Sequence, residues 1–552
     1  MLYKYDEDVC KFVTVNVVKY VFITGGVMSG IGKGVTAASI GKILQSRGMS
    51  VTAIKIDPYL NVDAGTMNPY IHGEVFVTED GGETDMDLGT YERFLDINIP
   101  KDHNITTGLI YLSVIGKERK GEILGTCVQI IPHITNEIKN RIRSITKKSK
   151  VDCTIVEIGG TVGDIESLPF LEAARQMRLE EGSRNVINFH VTLVPVLEAV
   201  GEQKTKPTQH SVQELRRIGV QPDAVVVRSE IPLKDEPRRK IALFCNIEER
   251  AVFTSPDIKS IYEVPLILDK QGLGDYLSDR MNVKLKKPEW KIWRNMLEGF
   301  TDPKYKIKIA MCGKYAELAD SYVSINEALR HASAINNASI NIDWIETEIF
   351  ENKPSRISDL ENYHGVLVPG GFGSRGTEGK ILAISYARKK DIPYLGICFG
   401  FQMAVVEFAR HIGLTEANST EVNPRTKHPV VDLMPEQIGV EEKGATMRLG
   451  AEKINLQSGT LAHLLYGKKM IIERHRHRYE VNGEYLDRLQ EAGLKFSGKS
   501  LDGLRMEILE LKENKFHFAT QFHGEFKSRP NRPSPPYAGF IAASLKRALD
   551  SS

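Results

Sequence analysis

Cys398 is the residue of this sequence best placed to do covalent chemistry. It stands in Gly396-Ile397-Cys398-Phe399-Gly400, after an apolar run at residues 392–395 and before a helical pattern at residues 401–408. Strand, sharp turn and helix in that order expose a nucleophile at the turn. Glycines two residues to either side relieve a backbone that a Cβ would crowd. The helix start behind Cys398 favours thiolate over thiol. A thiol nucleophile needs a base, and the base needs a group that orients it. His523-Gly524-Glu525, in an apolar stretch at residues 516–526, supplies both. On a strand, residues i and i+2 share a face, so Glu525 is expected to orient His523, and His523 to deprotonate Cys398. The turn Pro369-Gly370-Gly371-Phe372-Gly373 follows an apolar run at residues 365–368 and offers backbone N–H groups to an oxyanion. A buried thiol and a satisfied core imidazole is the bland alternative, and the His-x-Glu pair weighs against it.

A second constellation lies near the start of the chain. The apolar run at residues 20–24 leads into a glycine-rich loop, Gly25-Gly26-Val27-Met28-Ser29-Gly30-Ile31-Gly32-Lys33-Gly34, and then a helical pattern. Such a loop converges backbone N–H groups on phosphate oxygens, the helix start adds positive potential, and Lys33 reaches the β/γ-phosphates. The spacing departs from the strict phosphate-loop pattern, with five residues between Gly26 and Gly32, and Gly34 stands where Ser or Thr normally meets Mg2+. Carboxylates must then hold the cation. Asp87 and Glu157 are the candidates, Glu157 because it ends the buried-looking run at residues 154–156, where a metal-binding acid of such folds sits. A third signal is the basic run at residues 201–211, with Lys204, Thr205, Lys206, Pro207, Thr208 and Gln209, suited to a polyphosphate.

These residues need scaffolds. The 552 residues suggest two to four domains, and 41% hydrophobic with 26% charged residues is ordinary for a soluble globular chain. A net charge of +2 gives no global pull toward nucleic acid or membrane. Six scattered cysteines without a C-x-x-C argue for a reducing, cytoplasmic setting and against disulfides or structural zinc. No apolar run reaches the ~20 residues of a membrane span. Strand patterns at 19–24, 50–56 and 151–158, with a helix at 35–47, predict a mostly parallel sheet with helices on both faces. Around residue 285 the composition turns basic, a short helix is expected at 293–300, and a strand at 306–312 opens a second α/β domain. The reading is α/β in two domains: 19–285, a Rossmann-like phosphate-loop domain; a linker at 286–303; and 304–552. Residues 1–18 read as an N-terminal extension.

The Cys398, His523, Glu525 and 369–373 set resembles class I glutamine amidotransferases. Stretches 24–34, 55–77, 156–167, 201–212, 241–246, 365–373, 396–402, 418–421 and 473–482 together resemble the CTP synthase family over nearly the whole chain beyond residue 18. That resemblance implies a ligase of pyrimidine nucleotide synthesis that aminates UTP to CTP with ATP and glutamine, through a UTP phosphorylated at O4. It implies an ATP–Mg2+ site at Gly30, Ile31, Gly32, Lys33, Gly34, Val35, Lys55, Asp87 and Glu157, with Asp257 and Ile258 on the adenine side. It implies UTP or product CTP at Ser29, Asp164, Ile165, Glu166, the 204–209 run and Lys240, and glutamine at Gly371, Phe399, Gly400, Phe401, Gln402, Glu421 and Arg478. His72 and Val75 are expected along an ammonia path. GTP as allosteric activator, CTP as feedback inhibitor, a homotetramer, and no nucleic-acid or membrane partner also follow from the resemblance. Two departures stand out: Gly30 replaces a Ser of the loop, and Gly524 replaces the Pro usual between His and Glu. A phosphate-loop amidoligase of the cobyrinate type is the alternative, opposed by residues 55–77 and 204–211. A non-enzymatic phosphate-loop switch is opposed by Thr24, where that class carries Lys, and has no use for Cys398.

Overall fold

The computed structural model describes residues 17–68, 72–197, 201–314, 319–371, 373–440, 444 and 446–550. Residues 1–16, which hold most of the expected extension, residues 69–71 of the 55–77 stretch, and Phe372 of the glycine-rich turn lie outside the described residues. The chain folds into two units that are not consecutive in sequence. One is built from residues up to Pro58, Val114–Asp257 and Pro265–Pro288; the other from Tyr59–Ser113, Ile258–Val264 and residues from Glu289 on.

In the first unit, strands run in the order Val252–Pro256, Ala224–Ser229, Val186–Leu193, Lys19–Gly25, Cys153–Ile158, Val51–Asp57, all parallel. Lys19–Gly25, Cys153–Ile158 and Val51–Asp57 are buried at every position, as expected of parallel strands covered on both faces. The chain passes from Cys153–Ile158 on one side of Lys19–Gly25 to Val186–Leu193 on the other. That reversal opens a crevice at the carboxyl ends of these strands, where such sheets bind ligands. The glycine-rich loop emerges there.

The second unit carries a nine-stranded sheet. Five strands, Ala338–Glu346, Tyr305–Gly313, Gly365–Val368, Tyr394–Ile397 and His517–Thr520, are parallel. Four more, Met506–Glu510, Lys495–Ser500, Arg448–Leu456 and Met470–His477, continue it antiparallel. Alternating side chains fill two cores. Val366, Val368 and Tyr394 meet the helices Thr377–Lys389 and Phe399–His411. Leu367, Leu395 and Ile397 meet Val323–Ile335 and Pro535–Asp550. The short helix expected at 293–300 lies within Lys291–Thr301, where Trp293 is buried and its Nε1 donates to Tyr262 O at 2.8 Å. The segment Tyr59–Ser113 adds a hairpin, Val75–Val77 with Glu83–Asp85, and the helix Met86–Leu95.

Candidate active sites

Cys398 sits between the strand Tyr394–Ile397 and the helix Phe399–His411 with φ 51° and ψ −97°, a conformation a non-glycine residue holds only under constraint. The glycines around it explain how. A Cβ on Gly400 would lie 2.1 Å from Val368 O, and one on Gly396 2.4 Å from the Tyr394 hydroxyl oxygen. The Cys398 amide donates to Thr520 O at 2.7 Å, fixing the turn on the neighbouring strand. Its Sγ lies 3.6 Å from both Arg476 O and Gln521 Nε2.

His523 and Glu525 pair as expected, Nδ1 to Oε1 at 2.7 Å, but not by strand alternation. The strand ends at Thr520, whose Oγ1 donates to Phe522 O at 2.8 Å, and residues Gly524–Lys527 form a 3-10 turn. The turn, not the pleat, brings the carboxylate back to the ring. Glu525 Oε2 also accepts from the Tyr537 hydroxyl at 3.1 Å. Burial alone would lower the His523 imidazole, but the charges of Glu525 and Cys398 outweigh it and push it up to about 10. Nε2 of His523 has no oxygen or nitrogen partner among the described residues. Gly370 stands beside both reacting groups: a Cβ there would lie 3.0 Å from His523 Cε1 and 3.6 Å from Cys398 Cβ.

A cavity of about 150 Å3 opens on this pair, lined among others by Gly370, Gly371, Tyr322, Arg476, Glu74 and Val75. Of the two residues expected on an ammonia path, Val75 is in its wall. His72 is not a lining residue; it lies 3.7 Å from Asp85. Glu74 was missed by sequence reasoning. It is buried, and its carboxylate accepts from Ser324 N and Ser324 Oγ at the start of the helix Val323–Ile335. Burial pushes it up to about 7.

The expected glutamine residues divide. Glu421 accepts from Gly373 N at 2.8 Å, and burial raises it above the usual carboxylate range. Lys380, also missed, is buried against the Phe399 ring at 4.7 Å; burial, and then Lys314, pull it down to about 8, with Glu421 opposing. Arg478 donates to Thr446 Oγ1 at 2.9 Å and to Gln437 Oε1. The Phe401 side chain faces the core beside Phe496, and Gln402 is tied to Tyr479 O at 2.9 Å and Gln521 Oε1 at 3.2 Å.

In the first unit, Gly30 and Gly32 take φ 73° and 85° and Val27 takes φ 77°, which turns the loop into the helix Lys33–Ser46. Gly25 lets the Lys33 stem cross it, since a Cβ there would lie 2.6 Å from Lys33 Cδ. Lys33 Nζ donates to Gly160 O at 2.6 Å. Lys55 Nζ lies 3.3 Å from Glu157 Oε1 and 3.8 Å from Asp57 Oδ1. Asp257 is 2.6 Å from Arg228, whose Cδ approaches the position of a Cβ on Gly32 at 3.8 Å. Beneath the loop runs a buried chain that the sequence did not disclose. Thr24 Oγ1 meets His190 Nδ1 at 2.9 Å, and His190 Nε2 meets Ser211 Oγ at 2.7 Å. Burial lowers His190 to about 3, so the ring stays neutral. Gly26 is glycine because a Cβ would overlap Ser211 Oγ.

Of the basic run, Thr208 and Gln209 turn inward, Thr208 to Leu193 O and Gln209 to Thr205 Oγ1. Lys204 pairs with Glu202 at 2.6 Å, and Lys240 adds to the charge that lowers Glu202. Lys206 lies over the Phe244 ring. Asp164 accepts from Thr161 N at 2.9 Å, while Ile165 is 79% exposed. In the second unit Asp87 occupies the first turn of Met86–Leu95, its amide capped by Asp85 Oδ1 at 2.8 Å. Among the described residues there is no preformed cluster of three or more His, Cys, Asp or Glu for a metal. Mg2+ needs none: it takes one or two carboxylates, completing its shell with water and phosphate oxygen, and Glu157 and Asp87 are donors of that kind. No helix among the described residues is long and apolar enough to cross a membrane.

Comparison with known proteins agrees with both halves. Residues 19–283 match the family model described as CTP synthase N-terminus, and residues 317–543 the model for class I glutamine amidotransferase. A CTP synthase of Thermococcus kodakarensis is 58% identical over 535 residues, covering 97% of this chain and all of the relative. One of Methanocaldococcus jannaschii is 56% identical, covering 96% of this chain and 99% of the relative.

Proposed function

We propose a division of labour between two sites from the premise that this chain belongs to the CTP synthase family. The family activity is ATP-dependent amination of UTP to CTP with nitrogen from glutamine, and the chain is a ligase with a glutamine amidotransferase domain. In our reading the Cys398 thiolate attacks the glutamine amide carbon, with the substrate ammonium held by Glu421 and its carboxylate by Arg478. Amides of Gly371 and Phe399 receive the oxyanion. His523, held as imidazolium by Glu525, gives its proton to the leaving nitrogen, and ammonia departs. Water, deprotonated by the same ring, then hydrolyses the thioester to glutamate. Val75 and Glu74 line the cavity, and in this reading the ammonia leaves past them.

At the phosphate loop, Lys33 and Lys55 neutralise the ATP phosphates and Asp257 with Ile258 takes the adenine. Bound Mg2+ would neutralise charge developing on the transferred phosphoryl group, and Glu157 is the carboxylate the first unit offers it. UTP, on Ser29, Asp164 to Glu166, Lys204, Lys206 and Lys240, takes the phosphoryl group on O4. Ammonia displaces phosphate at C4, giving CTP. CTP shares the triphosphate contacts and so competes with UTP; GTP activation, a homotetramer and a cytoplasmic setting complete the reading.

The observation that carries it is the strained Cys398 elbow facing His523 and Glu525 across one cavity. The test is Cys398→Ala with UTP, ATP and Mg2+, followed by cytidine absorbance. Glutamine-dependent synthesis should vanish and ammonia-dependent synthesis persist. Loss of both would overturn the division of labour.

A further inference from the structure

His523 is held from two directions by one buried carboxylate that no step of the reaction uses. Glu92, on the helix Met86–Leu95, has no measurable exposure, and neither does Arg474. Glu92 Oε2 lies 3.0 Å from Arg474 Nη2 and 2.6 Å from Arg529 Nη2. Both guanidiniums also bond to the same segment. Arg474 donates to Val77 O at 2.9 Å, and Arg529 donates to Ile97 O at 3.3 Å and Asn98 Oδ1 at 3.1 Å.

Each arginine connects to His523 indirectly, through backbone. Arg474 O accepts the His523 amide at 2.8 Å. Arg529 Nη1 donates to Phe526 O at 3.0 Å, and the Phe526 ring stacks on His523 at 5.2 Å. The Phe526 ring also meets Phe76 edge-on at 5.2 Å, and Phe76 lies under the Arg474 guanidinium. A neighbouring ion pair, Arg476 to Glu83 at 2.8 Å, fixes the residue whose carbonyl faces Cys398 Sγ. The strand Met470–His477 thus presents its carbonyls to base and nucleophile while its arginines are anchored about 390 residues away in sequence.

We propose that Glu92 is a positioning residue for glutamine hydrolysis: through Arg474 and Arg529 it sets where His523 stands relative to Cys398. This rests on the reading of Cys398 and His523 as nucleophile and base. A displaced base slows proton delivery to the leaving nitrogen without altering Glu421 or Arg478. The signature is therefore a fall in kcat for glutamine with KM nearly kept.

The experiment uses the full chain with Glu92→Gln, which keeps the shape and removes the charge. Expected are a native-like circular dichroism spectrum, glutaminase kcat down about tenfold, glutamine KM and ammonia-dependent CTP formation within about twofold, and a changed pH profile for alkylation of Cys398. Unchanged kcat, or equal loss of glutamine- and ammonia-dependent synthesis, would overturn the proposal. Should Glu92→Gln not fold, Asn98→Ala and Arg529→Lys carry the same comparison: a kcat-only loss in both supports the proposal and its absence in both overturns it. Glutaminase activity surviving in Cys398→Ala would instead sink the underlying reading, whatever Glu92 does.

Discussion

Gly370→Ala tests the glutaminase geometry with a single methyl group. The Cβ would lie 3.0 Å from His523 Cε1, where carbon atoms rest at about 3.5–4.0 Å. The ring must therefore give by about half an ångström. It cannot slide freely: Phe526 stacks behind it, Glu525 holds Nδ1 at 2.7 Å, and its amide is bonded to Arg474 O. Misplacement by 1 Å costs about 10²-fold at a reacting centre, so half of that predicts about a tenfold loss of kcat, or ~1.4 kcal/mol of barrier. The backbone at Gly370 is not left-handed, so alanine adds no φ strain, and the melting temperature should hold. Glutamate release is the assay, with ammonia-dependent CTP formation as the internal control. Full glutaminase activity in a folded Gly370→Ala protein would show that the base does not work from where this structure places it. Equal loss of both activities would show that the methyl acts on the whole fold.

Glu525→Gln removes the charge that overrides burial at His523; glutamate release should fall by about two orders of magnitude or more, and the His523 limb of the pH–rate profile should move to lower pH. Lys206→Ala should raise the apparent UTP constant and the CTP inhibition constant together, because in the proposed site charge-assisted triphosphate contacts serve both; steady-state inhibition kinetics would refute this if only one moved. Gly524→Pro should stabilise the turn by about 0.4–1 kcal/mol through the unfolded chain, raising the melting temperature, since the nearest contact of a new Cβ, Ser534 Oγ at 2.8 Å, has no hydrogen-bond partner among the described residues and can rotate away. A lowered melting temperature would mean that the backbone there cannot accept the ring.

Local chemistry was the legible part of this sequence. The first-unit strands Lys19–Gly25, Val51–Asp57 and Cys153–Ile158 are rich in apolar residues, and the glycines at 25, 26, 396 and 400 are each required by an atom within 3 Å of a missing Cβ. The pairing of His523 with Glu525 was also legible, although the reason given for it was not the operative one: the strand stops at Thr520 and a turn does the work. The antiparallel half of the second sheet was invisible. Arg448–Leu456 buries only three of nine residues, so no clean period of two marks it as a strand. His190 lies in the strand Val186–Leu193, and nothing local announces that Thr24 and Ser211 bond its two nitrogens.

The run Glu473 to His477 shows the limit most sharply. As sequence it is a string of charges and imidazoles, which ordinarily means a solvated face. In the structure all but Arg476 are buried: Arg474 meets Val77 O and Glu92 from Tyr59–Ser113, Glu473 accepts from the Tyr466 hydroxyl, and the His475 and His477 rings meet each other. Such burial does not follow from stability. Desolvating Glu92 and two guanidiniums costs several kcal/mol per ion, and a well-packed apolar cluster of the same volume would hold the fold as well or better. What an apolar cluster would not do is choose one register. The Arg474 fork meets Val77 O and Glu92 together only when the strand stands at one height against the hairpin, and at that height its carbonyls face His523 N and Cys398 Sγ. The buried charge therefore makes sense as alignment of the base with the nucleophile, which explains why the residues hardest to place from sequence lie closest to the catalytic pair.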